Sequence, residues 1–324
     1  MQRLSQVALC FLFAMFAHAG YAQGYPNGPV KLIATFAPGG PADTVARIFA
    51  EGLSEVWKQP VYVENRPGAG GSIGNELFSK AEPDGHTLLL ASTTPIVNHV
   101  LIPKLSFDYT KDFPAIAVVA SAPMLIAVHP SVPVKDLKEF TAMLKAAPGK
   151  HDYTACNMAS PYHFAMEMYK HAVRVFAVHI PHRGCGPATV DAVAGHINIA
   201  VTSLPAALPF IKQGRLRPIA LISKDRSPTM PDLPTVRESG IPELKDYHLE
   251  IFLGFMAPPK TPQAITSRIE ADVLQLAARP EMQKRLQGAG FDSLLLNSKQ
   301  MSELIRADAE KYARVAKQAG IKVE

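Results

Sequence analysis

Residues Phe36 to Asp43, Phe-Ala-Pro-Gly-Gly-Pro-Ala-Asp, contain no nucleophile, yet their types and spacing suit the holding of an anion by the backbone. Gly39 and Gly40 permit backbone angles closed to other residues, and Pro41 suits the first helical position, where a missing N–H is no loss. A helix starting there, with Gly40 at its N-cap, turns free N–H groups and the positive end of its dipole toward whatever lies in front of it. The same residues also read as an ordinary strand-to-helix turn in which Asp43 caps the first turn. Under either reading Asp43 is structural, because a carboxylate so close would repel an anionic ligand unless turned away.

Three other stretches bear on chemistry. Pro67–Gly74 (Pro-Gly-Ala-Gly-Gly-Ser-Ile-Gly) places glycines at 68, 70 and 74, a wider spacing than the dinucleotide fingerprint. It reads as a tight loop packing a helix on a sheet, and no cofactor is expected. His179 and His182 stand three apart in a strand and so point to opposite faces. His163 and His196 could approach in space, but no Cys or acidic partners stand at ligand spacing, so no metal site is expected. G-x-S-x-G, H-E-x-x-H and C-x-x-C are all absent, which leaves only Ser92 or Ser160 with a distant His as a residual catalytic pairing, and no catalytic residue is assigned.

The elements that must position these residues start after a leader. Arg3, a mostly apolar run from Val7 to Ala17 and small residues up to Ala22 form the layout of a secretory signal peptide, residues 1–22, too short to span a bilayer. Cleavage fits after Ala19 or Ala22, and the polar lead from Gln23 favours Ala22. Cys10 lies inside the apolar run rather than at its end, where a lipid anchor would need it, so the mature chain is expected to be soluble and exported. The net charge of +5 is spread along the chain without a stripe, which argues against nucleic-acid or membrane-surface binding. Beyond the leader only Cys156 and Cys185 remain, too few for a disulfide scaffold; a single disulfide and two separate thiols are both open.

From Val30 onward apolar runs alternate with helical periodicity. Val30–Phe36 reads as a buried strand, and Val45, Ile48, Phe49, Leu53, Val56 and Trp57 share one face of the helix that follows. Strands at 61–64 and 86–92 with a helix at 72–80 between them predict right-handed crossovers and a parallel sheet. Ala115–Pro130 reads as a strand crossing into a second α/β unit, and Leu249–Pro258 as a second crossing back, after which the chain is read as helical. The expected architecture is α/β and two-lobed: residues 25–119 and 254–324 form lobe I, residues 120–253 form lobe II, and the crossings are the hinge. Carboxyl ends of both sheets then meet at a shared cleft, where open α/β sheets bind ligands.

Seven stretches occur in order: those around Tyr25–Arg47, Val61–Gly74, Glu82–Leu90, His179–Ala188, Leu204–Leu221, Ser227–Pro242 and Phe255–Pro262. Together they closely resemble the exported solute-binding proteins of tripartite tricarboxylate transporters, the Bug family, over essentially the whole mature chain. The resemblance implies a periplasmic binding protein of the Venus-flytrap kind, type II-like, which captures a small carboxylate and hands it to membrane permease subunits. It implies that the loop Phe36-Ala37-Pro38-Gly39-Gly40 holds the carboxylate through backbone groups and bridging water. The loops Ser92-Thr93-Thr94, Cys156–His163 (with Asn157, Ser160 and His163) and Thr202-Ser203 would complete the cleft. A monomer without cofactor or metal is expected, with the donors being backbone N–H groups of residues 38–43 apart from the two prolines. A sensor kinase in place of the permease, and a periplasmic hydrolase, are the rival readings.

The chain departs from the family pattern where Met158, Pro161 and Tyr162 stand in place of small residues, where His182 replaces a common Tyr, and where Thr202 replaces a frequent Asp. More apolar surface and fewer donors favour an aromatic carboxylate or a medium-chain dicarboxylate, unless these side chains pack behind the loop.

Overall fold

The computed structural model describes residues 24–102, 105–158, 160–182 and 184–321. The leader read over residues 1–22 lies outside them. Two sheets organise the chain. The first is built from β1 (Val30–Ala34), β2 (Val61–Asn65), β3 (Thr87–Ser92), β4 (Ala115–Ser121), β10 (Phe252–Met256) and β11 (Asp292–Asn297), in the order β11-β4-β10-β3-β1-β2. The second holds β5 (Met124–Val128), β6 (Asp152–Ala155), β7 (Val178–Pro181), β8 (Ile199–Ser203) and β9 (Arg217–Leu221), in the order β7-β6-β8-β5-β9.

Both sheets are mixed rather than parallel. β1 runs parallel to β2 and β3, as helical crossovers require, but β10 is antiparallel to β3 and β4, and β11 to β4. In the second sheet β5 opposes β8 and β9. The strands that first break the parallel pattern, β5 and β10, enter from the other sheet instead of through a helix, so no crossover fixes their direction. The first crossing is interrupted: β4 ends at Ser121, Pro123 withholds a ladder donor, and β5 begins in the second sheet. Leu249–Ile251 leads back into β10, and Ala122 N–H donates to the Ile251 carbonyl at 2.8 Å, tying the crossings together.

The helices follow the apolar periodicity. α1 (Pro41–Trp57) buries Val45, Phe49, Leu53 and Trp57 against the first sheet. α2 (Ser72–Ser79) follows the glycine loop, whose closeness explains its composition: a Cβ on Gly74 would lie 2.7 Å from the Arg66 carbonyl oxygen and 2.9 Å from the Thr35 side chain. α4 (Leu137–Ala146), α5 (Pro161–Val173), α6 (Cys185–Val193) and α7 (Leu204–Lys212) belong to the second sheet's layers. α8 (Gln263–Ala277), α9 (Pro280–Gly288) and α10 (Ser298–Ala319) close the chain. α10 lies along β4 and reaches α5, where Tyr312 meets Phe164 edge-on with ring centroids 5.4 Å apart, so one helix braces both sheets behind the hinge.

Two elements go beyond the sequence reading. α3 (Thr94–Leu101) is too short for periodicity to reveal, and β11 interrupts a C-terminal stretch read as helical. β11 carries three consecutive leucines with alternating burial on the sheet edge, and its register against β4 shifts between Ser293 and Leu296, which blurs the two-residue period. The chain enters β7 only at Val178, because the Val175 N–H still closes α5 on the Lys170 carbonyl.

Candidate functional site

β1 ends at Ala34, and Phe36–Gly40 carries the chain over the sheet's edge into α1. Only Gly39 uses left-handed backbone, at φ 81°; Gly40 is extended and caps α1 with no side-chain bond. Asp43 Oδ2 accepts the Gly39 N–H at 2.9 Å and Arg47 Nε at 3.0 Å, while Asn65 Nδ2, at the end of β2, donates to Asp43 Oδ1 at 2.9 Å and to the Phe36 carbonyl at 3.1 Å. Burial pushes the Asp43 carboxyl up, but the bonds from Arg47, Gly39 and Asn65 outweigh it and hold its pKa below the ordinary carboxylate range. Its structural role is therefore explicit: it clamps the loop.

That clamp removes donors that the sequence reading assigned to the ligand. Gly39 N–H is taken by Asp43, and Gly40 N–H faces the Ala37 carbonyl at 3.4 Å. Among the described residues, the N–H groups of Ala42 and Asp43 are left over in the first turn of α1, as expected for a helix start.

A second helix terminus faces this one. Cys156, just past β6, is disulfide-bonded to Cys185, the first residue of α6, and Gly184 N–H donates to the Cys156 carbonyl at 2.6 Å. α6 also has a glycine N-cap without a side-chain bond. Pro187 has no N–H and Ala188 N–H bonds the Gly184 carbonyl, so Cys185 and Gly186 keep theirs free among the described residues.

Between the two termini lies a cavity of about 250 Å³. Phe36–Ala42 form one wall, and Cys156, Asn157 and Gly184–Pro187 the other. Ser92 and Thr94 from the end of β3 and start of α3, with Ile251, Leu253 and Tyr162, complete it. No Asp, Glu, Lys, Arg or His stands among the described lining residues. Ser92 is 4% exposed and its hydroxyl has no partner. Tyr162 is buried, which raises its pKa, and its hydroxyl hydrogen-bonds Ser203.

Of the residues read from the sequence, Phe36, Ala37, Pro38, Gly39, Gly40, Ser92, Thr94 and Asn157 line this cavity. The others stand behind it with their polar groups engaged. Thr93 Oγ1 accepts the Phe252 N–H at 3.1 Å, and Ser160 caps α5 by accepting the His163 N–H. Ser203 caps α7, and Thr202 Oγ1 bonds Thr189 Oγ1 at 2.9 Å. His163 stacks on His179 at 4.3 Å with Glu167 3.7 Å from its Nε2, and His179 in turn stacks on Tyr153. Burial, with neighbouring His163, Lys170 and His182, pushes His179 down to about 3. His196 pairs instead with Asp191, and His182 bonds Asp191 and Thr154; no metal-holding cluster exists among the described residues.

Tyr162 does reach the cavity, whereas Met158 is 51% exposed and does not line it, and Pro161 sits in the first helical turn, where its missing N–H costs nothing. The sequence reading missed Gly184, Gly186, Pro187, Ile251 and Leu253 as lining residues. One signal was available: Gly-Pro-Ala recurs at 40–42 and 186–188.

The fold is that of a two-lobed α/β binding protein, with a cavity between its two sheets. A sequence profile of the Tripartite tricarboxylate transporter family receptor, TctC, matches residues 45–321, and the chain belongs to that family. BugT of Bordetella pertussis is 30% identical over 305 residues, covering 94% of this chain and 93% of BugT. The structure of Rhodopseudomonas palustris Rpa4515 with adipate superposes with a TM-score of 0.85 at 27% identity, covering 92% of this chain and 99% of that one. MatC of the same organism, with bound malate, gives 0.79 at 26% identity over 90% and 99%. The family is one of periplasmic solute-binding receptors, not of enzymes. Among the described residues no helix is long and apolar enough to cross a membrane.

Proposed function

We propose that this chain is exported by its N-terminal leader and serves as a periplasmic receptor, capturing a small organic carboxylate between residues 25–119 with 254–324 and residues 120–253. It delivers that ligand to the membrane subunits of a tripartite tricarboxylate-type transporter and performs no chemistry on it. The observation that carries the reading is the pair of helix N-termini facing one cavity without side-chain caps, with the unpartnered Ser92 hydroxyl beside them. Such termini stabilise a carboxylate with no basic side chain. The relatives solved with adipate and malate support the ligand class.

In this reading the carboxylate accepts from Ala42 and Asp43 on one wall or from Cys185 and Gly186 on the other, and Ser92 and Thr94 orient it. Phe36, Tyr162 and Leu253 favour an apolar body, a dicarboxylate or an aromatic carboxylate. With no acidic side chain among the described lining residues, an α-ammonium would lose its water without gaining a partner, so amino acids bind weakly.

A thermal-shift panel of aliphatic dicarboxylates, benzoates and amino acids on ligand-stripped protein tests this. A ligand at a hundred times its dissociation constant adds about 2.7 kcal/mol to stability. Silence from every carboxylate, or a win for an amino acid, overturns the reading.

A further inference from the structure

The cavity between the helix termini has a second space against its outer side. Gly39, Gly40, Pro41, Cys185 and Gly186 also border a second chamber of about 700 Å³, so these five residues form a neck with space on both sides. The outer chamber runs between α6 and α7 on one side and the turn from α9 to β11 on the other. Its walls are apolar: Val190, Ala206, Leu208, Phe210 and Phe291. Val190 is 54% exposed, one of the few large aliphatic side chains left so open, and it borders this space.

The chamber's polarity has a direction. No acidic residue stands among its described lining residues, and its one lysine, Lys212 at the end of α7, makes no ion pair among the described residues. The Arg215 guanidinium lies 5.6 Å from the centre of the Phe210 ring, adding a second cation close to that residue. An uncharged neck flanked by helix N-termini, an apolar channel and a basic rim form a sequence that matches a molecule with an acid at each end and hydrocarbon between.

We infer that the ligand passes through the neck, and that the preferred class is an elongated α,ω-dicarboxylate with one carboxylate at the helix termini, its chain in the outer chamber and its second carboxylate toward Lys212. This rests on the carboxylate reading of the inner cavity and extends it. A short diacid would satisfy the neck alone and leave the outer apolar walls wet; each methylene added against them contributes about fourfold in affinity.

The test is calorimetric titration of purified, ligand-stripped protein with succinate, adipate, suberate, sebacate and dodecanedioate, repeated on Val190→Trp and Lys212→Gln. Affinity should climb along the series past adipate. Val190→Trp should abolish the climb, costing sebacate more than about tenfold, the worth of two buried methylenes, while leaving succinate unchanged. Lys212→Gln should weaken the long diacids about threefold, the scale of an exposed ion pair, and only at low salt. An affinity that peaks at succinate or adipate, or a climb that Val190→Trp leaves intact, overturns the outer-chamber assignment while the carboxylate reading stands. Failure of every diacid and benzoate to bind overturns both.

Discussion

On one side of the cleft α1 starts at Gly40-Pro41-Ala42, and on the other α6 runs through Gly186-Pro187-Ala188; each leaves two N–H groups over beside the same cavity. The two walls are held by different means. The α1 wall is pinned by a carboxylate, Asp43, with Asn65 and Arg47 around it, whereas the α6 wall is pinned by the covalent bond between Cys156 and Cys185. An open helix terminus has to be immobilised without letting a side chain occupy it, and these are two solutions to that problem. One is electrostatic and sensitive to acid; the other is covalent and sensitive to reductant.

Cutting the covalent lock should have the largest effect. Cys156 and Cys185 are 29 residues apart, and a loop of that length constrained in the unfolded chain contributes about 3–4 kcal/mol. Cys156→Ala with Cys185→Ala should lower urea stability by that order and weaken carboxylate binding through the α6 wall. Dithiothreitol should do the same to the native protein and nothing further to the double variant. If the double variant binds as tightly as the parent, the disulfide is not what positions α6.

Asp43→Ala attacks the other wall. It leaves the Gly39 N–H and Asn65 Nδ2 without their charged acceptor, a loss of about 2 kcal/mol in equilibrium unfolding. The pH dependence has a definite sign. Because the folded Asp43 pKa lies below its unfolded value, its contribution is complete above the ordinary carboxylate pKa of about 3.9 and disappears as pH falls through the folded value. The difference in stability between parent and Asp43→Ala should therefore shrink below about pH 4, and reductant should leave it unchanged. A difference that is flat with pH would mean that shape, not charge, holds this loop.

The distance between the walls depends in part on Gly290, in the turn between α9 and β11. It sits at φ 86°, and a Cβ there would lie 2.9 Å from the Pro205 Cα, at the start of α7 across the cleft. Gly290→Ala should cost about 1–2 kcal/mol through the left-handed backbone alone. It should also part the lobes at that contact, seen as a larger radius of gyration in X-ray scattering. An unchanged radius would assign the cost to the backbone alone.

The sequence carried the α1 wall well and the α6 wall poorly. Pro-Gly-Gly-Pro sits directly between a continuous apolar strand and a long amphipathic helix, so local rules identify the turn. In the second wall the helix cap, Gly184, is two residues before the recurring glycine-proline, and it faces the cavity only because the disulfide and β6 bring it there. That is tertiary information. Thr93, Thr202 and Ser203 are misleading in the same way: their residue types suit ligand contact, but their hydroxyls serve Phe252, Thr189 and the α7 cap. The two-lobed fold was legible because strand and helix alternate; the antiparallel members and β11 were not, since direction and edge pairing depend on the hinge route rather than on local pattern.

Ser92 belongs to neither wall, and its effect on stability should be the smallest and opposite in sign to its effect on binding. Its backbone is engaged by Tyr109, whose hydroxyl lies 3.3 Å from the Ser92 N and 3.2 Å from its carbonyl, but the side-chain oxygen is buried without a partner. In the free protein that oxygen is a desolvated group with nothing to bond, and removing it should leave stability unchanged or raise it by up to about 1 kcal/mol. With a carboxylate present the hydroxyl gains an acceptor, so Ser92→Ala should weaken binding about ten- to a hundredfold, the worth of one hydrogen bond to a charged group. Stability of the free protein and affinity for ligand then move in opposite directions, which neither wall variant can produce, since each lowers both. If Ser92→Ala lowers both as well, the hydroxyl is part of the scaffold, and the ligand is held by the two helix termini without help from the cavity's floor.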